Sequence, residues 1–277
     1  SPSVTQVTPN VMSTSGGAAV TVYGTLFEQV NPSSDVAVTF GGSACGGTVT
    51  WISDTEIRCS SVPSGVGAGV GVAVSVVGRQ GSAATTVFSY SAPTLTHITP
   101  AAGTTVGSFE MTISGTDFGA ATSAGLTASV GGSACGATVW LSITSVKCTV
   151  PSGINVNKDV LVTVGGQVTA VNAAKRFSYN APIVSGVTAA RTDGVGAVTI
   201  SGSEFGESTS TVSASVNGSN CASATWLSKT SISCVAPSGS GSGFAVVVTV
   251  GSQGSSGGSG LFSYASPSIS SVSSTAG

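Results

Sequence analysis

The amino-acid sequence predicts an all-β protein made of three tandem β-sandwich domains arranged as a rod. The tripeptide Phe-Ser-Tyr occurs three times, and a proline follows three residues after each tyrosine. The prolines that open successive copies are 91, 89 and 85 residues apart, which is the size of a small β-sandwich domain and too long for a solenoid repeat. The tripeptides end at Tyr90, Tyr179 and Tyr264, and the prolines are Pro2, Pro93, Pro182 and Pro267.

The repeat also predicts the domain boundaries. We expect the first domain over residues 1–91, the second over 92–180 and the third over 181–265. Only two residues separate each Phe-Ser-Tyr from the next proline. Because such a link is too short to behave as a flexible coil, we expect a semi-rigid array.

Within each copy, apolar residues alternate with small polar ones, and clusters of Gly, Pro, Asn and Ser interrupt the alternation. This pattern is typical of strands joined by turns, and no window has the 3.6-residue period of a helix. The core-facing residues expected in the first copy are Val4, Val7, Val20, Val22, Val36, Val38, Phe40, Val72, Val74 and Val76. In the second copy they are Leu95, Ile98, Met111, Ile113, Ala128, Val130, Val160, Val162 and Val164. In the third they are Val184 (or Ile183), Val187, Val198, Ile200, Val212, Ala214, Val216, Val246, Val248 and Val250.

Two further features recur at fixed positions. A glycine ends the second strand and a phenylalanine follows three residues later, which predicts an aromatic anchor at one end of each sandwich. The next hairpin carries a residue pair suited to the positive φ of a type I′ turn. The anchors are Gly24 with Phe27, Gly115 with Phe118 and Gly202 with Phe205, and the turns are Gly41-Gly42, Gly131-Gly132 and Asn217-Gly218.

Each copy contains two cysteines at nearly constant spacing, with a tryptophan between them, which indicates disulfides. Buried free thiols and a metal site are the alternatives. Zinc sites need close cysteine pairs or added histidines, whereas the whole chain has one histidine, His97. A disulfide closing about 14 residues would contribute roughly 3 kcal/mol and imply an oxidising compartment. The expected pairs, each linking neighbouring strands, are Cys45 with Cys59, Cys135 with Cys148 and Cys221 with Cys234.

The composition excludes some classes of partner. Charged residues make up 6% of the chain, and eight basic residues spread over three domains cannot form the stripe that phosphate neutralisation requires, so nucleic acid is not expected. No apolar run is long enough to span a membrane, so we expect no membrane insertion in this segment. Because a surface with so little charge favours association, we expect glycans or protein neighbours to cover part of it.

Taken together, these residues resemble the IPT/TIG domain, the immunoglobulin-like fold of plexins and transcription factors. All three copies match, and the cysteine pairs look like the extracellular branch of that family. The resemblance implies three immunoglobulin-like β-sandwiches that are secreted or located at a cell surface or cell wall. The basic loops of the DNA-contacting members are missing, and the third copy has Ala189 where the others have a proline. In the first copy the resemblance rests on Pro2, Pro9, Gly17, Val20 to Val22, Gly24, Phe27, Val38, Phe40 to Gly42, Cys45, Trp51, Cys59, Pro63, the valines from Val72, and Phe88 to Tyr90.

No residue set points to catalysis, a metal or a cofactor. His97 stands alone on a predicted strand, where a solvent-facing role is favoured over a general base. Asp117 and Glu204 occupy matching positions before the phenylalanine anchors, but the first copy has Leu26 there. Glu204 and Glu207 are the one close carboxylate pair, which is too few oxygens for a calcium loop. We therefore expect no enzyme.

Two segments are candidates for modification or assembly. Asn217 begins the sequon Asn-Gly-Ser at a predicted exposed turn, although Asn-Gly is also a good turn by itself. Residues 266–277 repeat the opening of the chain, with Pro267, Ile269 and Val272 matching Pro2, Val4 and Val7. We expect this segment to be the first strand of a further repeat, or a strand that completes a neighbouring subunit.

These observations favour a non-enzymatic extracellular structural protein that forms a rod or filament, has Asn217 as a candidate for glycosylation, and has copies of itself or adjacent repeats as partners. A cell-surface receptor or adhesin ectodomain that binds a protein or glycan is the alternative. An accessory module of a secreted carbohydrate-active enzyme is a third candidate, and it would need a catalytic domain outside this sequence.

Overall fold

The computed structural model describes residues 1–28, 35–84, 87–121, 125–188 and 197–266, and in these ranges the regular structure is β-strand. The described part of the chain contains no helix with the length and apolar character that a membrane span requires. The chain divides into two compact units. One comprises Ser1–Pro100, Glu110–Val150 and Asp159–Lys175, and the other comprises Ala101–Phe109, Pro151–Lys158 and Arg176–Gly277. The second sequence copy therefore contributes residues to both units.

The first copy forms two antiparallel sheets that enclose one core. The sheet orders are β1-β3-β7-β6 and β5-β4-β8-β9, and a short parallel pair joins β10 to β2. The strands are β1 Ser3–Thr8, β2 Val11–Met12, β3 Val20–Thr25, β4 Val36–Phe40, β5 Ser43–Ala44, β6 Val49–Ser53, β7 Glu56–Cys59, β8 Val72–Val76, β9 Arg79–Gln80 and β10 Ser89–Tyr90.

The second copy repeats the same sheet orders. Its sheets are β11-β13-β17-β16 and β15-β14-β18-β19, and β12 pairs in parallel with β20. The strands are β11 Thr94–Thr99, β12 Ala102–Gly103, β13 Glu110–Thr116, β14 Thr127–Val130, β15 Ser133–Ala134, β16 Thr138–Ser142, β17 Ser145–Thr149, β18 Val160–Val164, β19 Gln167–Val168 and β20 Ser178–Tyr179.

The third copy has one additional strand at the edge of its first sheet. The sheet orders are β25-β26-β22-β21-β29 and β24-β23-β27-β28. The strands are β21 Ile183–Val187, β22 Ala197–Ser203, β23 Val212–Val216, β24 Ser219–Asn220, β25 Ala224–Ser228, β26 Ser231–Val235, β27 Val246–Val250, β28 Gln253–Gly254 and β29 Ser256–Gly257.

The predicted alternation describes the cores well. In the first copy, the valines of β3 and β7's Ile57 from one sheet meet the valines of β4 and β8 from the other, and Phe88 lies among them. The first strand departs from strict alternation, since Val4 and Val7 are three residues apart yet both are buried. A register shift between Val4 and Gln6 explains this, because the extra residue of a β-bulge changes the face on which later side chains lie.

Each aromatic anchor depends on the glycine that precedes it. Phe27, Phe118 and Phe205 are completely buried. A Cβ on Gly115 would overlap the carbonyl oxygen of Thr94 and lie 2.6 Å from Cζ of Phe118, and the other two copies have the same close approach. The glycine is therefore required by packing, since any side chain there would displace the phenylalanine or the first strand.

The two-residue turns have the backbone that the sequence predicts. Gly41 and Gly42 have φ of 59° and 86°, and Asn217 and Gly218 have 49° and 79°. Positive φ at both positions matches the twist of a tight hairpin, and asparagine tolerates this region better than other residues with side chains.

Three disulfides are present, Cys45–Cys59, Cys135–Cys148 and Cys221–Cys234, with Cα–Cα distances of 6.0, 5.5 and 5.7 Å. They are local in sequence, as expected. They do not link neighbouring strands of one sheet, however. The backbone N–H of Cys45 bonds to Val38 O and so extends the β4–β5 ladder, whereas Cys59 lies on β7 of the opposite sheet. Because the chain crosses between the sheets after the first cysteine, each short disulfide connects the two sheets.

Candidate functional site

Each Phe-Ser-Tyr tripeptide closes its copy through a tyrosine that is buried in the first two copies and half-buried in the third. In the first copy, Tyr90 Oη donates to Pro63 O at 2.8 Å, and the ring packs so closely on Gly65 that a Cβ there would lie 2.5 Å from it. The same bond runs from Tyr179 to Pro151 at 2.8 Å and from Tyr264 to Pro237 at 2.7 Å. Burial raises the pKa of Tyr90 and of Tyr179, because the phenolate would lose its hydration.

The residues around two of these tyrosines meet the following copy in a recurring polar junction. In the first compact unit, Asp117 Oδ1 accepts hydrogen bonds from Ser13 Oγ at 2.7 Å, from Thr14 N at 2.9 Å and from Thr14 Oγ1 at 3.3 Å. Gln167 Nε2 donates to Tyr90 O at 3.2 Å. Thr14 is 2% exposed, so its backbone N–H and its hydroxyl depend on this carboxylate for an acceptor.

The second compact unit contains the same arrangement one repeat later. Glu204 Oε2 accepts from Thr105 N at 2.6 Å and from Thr105 Oγ1 at 2.8 Å. Gln253 Nε2 donates to Tyr179 O at 3.0 Å. Asp117 and Glu204 both have positive φ, 60° and 62°, and in each case the carboxylate accepts hydrogen bonds from the preceding copy. The junction is thus a repeated device made of one acid, one threonine, one glutamine and one tyrosine carbonyl.

A glycine in the β18–β19 or β27–β28 turn permits a close approach to the preceding copy at each junction. Gly165 has φ of 55°, and a Cβ there would lie 2.7 Å from Cγ2 of Val66. Gly251 has φ of 59°, and a Cβ there would overlap Oδ1 of Asn155. That amide oxygen accepts hydrogen bonds from the N–H and the hydroxyl of Ser252, at 2.8 and 3.0 Å.

The corresponding positions of the first copy carry different residues. Leu26 takes the place of the acid at φ 61° and is 58% exposed. Val77 takes the place of the glycine at φ 47° and is 57% exposed. Arg79 takes the place of the glutamine and pairs with Glu28 at 3.4 Å. All three junction determinants are therefore absent from this face of the first copy.

The residues that could support catalysis or metal binding are dispersed. His97 is exposed on β11, where Nε2 lies 2.7 Å from Thr99 Oγ1. Glu207 pairs with Lys229 at 2.8 Å while Glu204 belongs to the junction, so the two carboxylates do not converge. Across residues 1–28, 35–84, 87–121, 125–188 and 197–266, no cluster of three or more metal-ligating side chains occurs.

Of the residues predicted for modification or assembly, the structure describes only the glycosylation candidate. Asn217 lies exposed at the tip of the β23–β24 hairpin. The assembly-strand residues Pro267, Ile269 and Val272 lie outside the described residues, as does Ala189.

Sequence reasoning singled out Asp117 and Glu204 as matching positions but not their partners. Thr14 and Thr105 also match between copies, as do Gln167 and Gln253, so the signal was present in the repeat. Only the fold shows that these positions, about a repeat apart in sequence, come into contact.

The family model for the IPT/TIG domain matches residues 2–90, 93–179 and 182–264. A search of curated protein sequences found no significant match.

Several solved structures are similar to the chain. The plexin A4 full extracellular region has 20% sequence identity over 92% of this chain and 22% of that chain, with a TM-score of 0.28. The surface glycan-binding protein PbSGBP-B from Prevotella bryantii has 16% identity over 61% of this chain and 41% of that chain, with a TM-score of 0.41. The Yersinia pseudotuberculosis adhesin InvE has 15% identity over 72% and 67%, with a TM-score of 0.33. The chain thus spans about a fifth of the plexin region.

Proposed function

Because the chain belongs to the IPT/TIG domain family, whose model matches it three times in tandem, we propose that it is a non-enzymatic extracellular structural protein that forms a rod or filament. The observation that carries this proposal is the repeated junction. A contact that recurs with equivalent residues one repeat apart supports a fixed attachment of each copy to the next. A spacer requires such an attachment, and a flexible string of binding modules does not.

The contacts of the junction support ordered docking. Thr14 and Thr105 are each 2% exposed, so the carboxylates of Asp117 and Glu204 replace water as their acceptors. A buried N–H without an acceptor costs about 1–3 kcal/mol. Removing either carboxylate while the threonine stays buried would therefore destabilise the junction by about this amount. The glutamine bonds to Tyr90 O and Tyr179 O add a second fixed point at each junction.

The covalent framework supports an extracellular location, secreted or at a cell surface or wall. Structural disulfides are typical of oxidising compartments, and each of the three ties the two sheets of its sandwich together. Such cross-links suit a protein that must resist unfolding outside the cell.

Small-angle X-ray scattering of the whole chain tests the rod. A compact protein of this length has a radius of gyration of about 19 Å. We expect a clearly larger radius and a scattering profile of a single elongated particle. A radius near that of the compact sphere would overturn the proposal.

Junction variants test whether the repeated contact creates the order. Asp117→Leu with Glu204→Leu introduces the residue found at this position in the first copy, and Glu110→Ala, which breaks only an exposed pair with Lys147, is the control. We expect the double variant to show a broadened distance distribution and faster hydrogen exchange at Thr14 and Thr105, while the control matches the wild type. Unchanged exchange at both threonines would contradict the assigned role.

Assembly between chains needs another surface, because the first copy lacks the acid, glycine and glutamine of the junction. We assign this role to residues 266–277 with Pro267, Ile269 and Val272, on the sequence match alone. A chain that ends at Ser266 should keep its fold and form no linear assemblies in electron micrographs, whereas the full chain forms them. Dispersed chains of residues 1–277 at high concentration would refute the filament.

A receptor or adhesin ectodomain is the second candidate, and one observation favours it. Ile52, Leu141 and Leu227 occupy the same position at the irregular register of β6, β16 and β25, and they are 48%, 44% and 51% exposed. Large apolar side chains that stay exposed in every copy are available to a protein or glycan partner. Binding of the wild type to an immobilised glycan array, lost on Ile52→Ser with Leu141→Ser and Leu227→Ser, would support this candidate over a purely structural role.

A further inference from the structure

We propose that Asn217 is the acceptor of an N-linked glycan, a covalent modification separate from the structural role above. In the reaction, Nδ2 of Asn217 forms a bond to C1 of the first sugar while the bond from C1 to phosphate breaks in a lipid-diphosphate-linked oligosaccharide. One amide proton is lost and the lipid diphosphate leaves. The co-reactant belongs to the secretory compartment in which the disulfides also form.

Comparison of the three copies shows that the fold does not require an asparagine at this turn. The equivalent turns are Gly41-Gly42 and Gly131-Gly132, with φ of 59° and 86° and of 58° and 85°. A serine follows in every copy, as Ser43, Ser133 and Ser219. A single exchange of glycine for asparagine is therefore all that creates the sequon in the third copy, at some cost in backbone freedom.

The position is suited to hold a sugar without disturbing the sandwich. Asn217 and Ser219 are both exposed. The backbone N–H of Asn217 donates to Ala245 O at 2.8 Å, which fixes the turn. Within the described residues, the side-chain amide of Asn217 takes part in no hydrogen bond. Attachment of a sugar to this amide therefore breaks no such bond.

The surface beside the asparagine has room for the first sugar. An open groove of about 160 Å³ is lined by Asn217, Ser219, Pro237, Phe244 and Tyr264, all in the third copy. Phe244 is partly exposed there and contacts Tyr264 with ring centroids 5.9 Å apart. An aromatic edge next to hydroxyl groups fits a sugar ring, which has an apolar face and polar rim.

The experiment is secretion of the full chain from a host that performs N-glycosylation, followed by intact mass with and without peptide N-glycosidase. We expect a glycan on the wild type, its release by the enzyme with aspartate left at position 217, and no glycan on Asn217→Gly or Ser219→Ala. Asn217→Gly restores the turn of the other copies, so its fold should be retained.

A matched gain-of-site variant keeps the outcome interpretable. Gly131→Asn places the same sequon in the equivalent turn of the second copy, where Ser133 is already present. We expect a second glycan on this variant. A wild type that remains unmodified while Gly131→Asn gains a glycan would overturn the proposal, and so would the absence of any glycan on both proteins.

Discussion

Val77 and Gly165 occupy the same turn position in the first and second copies, with φ of 47° and 55°. The glycine adopts this region without strain, and it lets the loop at Val66 and Gly67 come close. The valine adopts the same region at the cost of a β-branched side chain facing its own backbone. The same position of the repeat is therefore strained in the first copy, where it is Val77, and makes a close contact in the second, where it is Gly165.

Val77→Gly should stabilise the first copy by about 1 kcal/mol, since release of left-handed strain exceeds the entropy cost of glycine. The reciprocal Gly165→Val should destabilise by about 2 kcal/mol or more, because strain is added to overlap with Val66. Hydrogen exchange of β8 and β18 measures each effect locally. Equal destabilisation by both substitutions would contradict this assignment.

Replacing Gly202 by alanine should cost about 3 kcal/mol, because the added Cβ overlaps Ile183 O and lies 2.6 Å from Cζ of Phe205. Gly186→Ala on the neighbouring strand is the control, since a Cβ there meets nothing within 4 Å. Urea denaturation of both variants gives the comparison. A control that loses as much stability as Gly202→Ala would show that strand flexibility, and not the aromatic anchor, explains the glycine.

The buried tyrosines predict loss of stability at high pH. Because burial raises the pKa of Tyr90 and Tyr179, the folded chain keeps their protons at a pH where the unfolded chain has begun to lose them. This contribution is fully present below about pH 10 and declines as the pH rises through the folded-state pKa. The free energy of unfolding should therefore fall above about pH 10.

Tyr90→Phe separates ionisation from packing. It should lose about 1 kcal/mol at neutral pH, because Pro63 O loses its donor, and should show a shallower decline above pH 10 than the wild type. A variant with the same alkaline slope as the wild type would assign the decline to other groups.

Loss of the third disulfide, by Cys221→Ser with Cys234→Ser, should lower the stability of that copy by about 3 kcal/mol. The cross-link restricts a loop of 13 residues in the unfolded chain and joins the two sheets in the folded one. Differential scanning calorimetry should show one transition moved to lower temperature. Reduction of the wild type should move further transitions, and an unshifted profile in the variant would count against a stabilising role.

The sequence by itself determined the features that depend on neighbouring residues. Alternating valines predicted the strands, paired residues at 217 and 218 predicted positive φ, and the recurring glycine and phenylalanine predicted a buried anchor. Each of these follows from local geometry, namely the two-residue period of a strand, the conformational range of glycine, or a spacing of three residues. Because the chain contains three copies, each of these patterns occurs three times and supports the same prediction.

Only the tertiary structure decided which distant groups meet. Asp117 and Thr14 are 103 residues apart, and Glu204 and Thr105 are 99 apart, so no local pattern connects the acid to its donors. The disulfides show the same division. Their spacing in the sequence predicted the pairs, but only the structure showed that each pair joins opposite sheets, because this depends on where the chain crosses the core. Contacts between residues far apart in the sequence form only when the folded backbone brings them together. The order of residues along the chain does not specify that spatial separation.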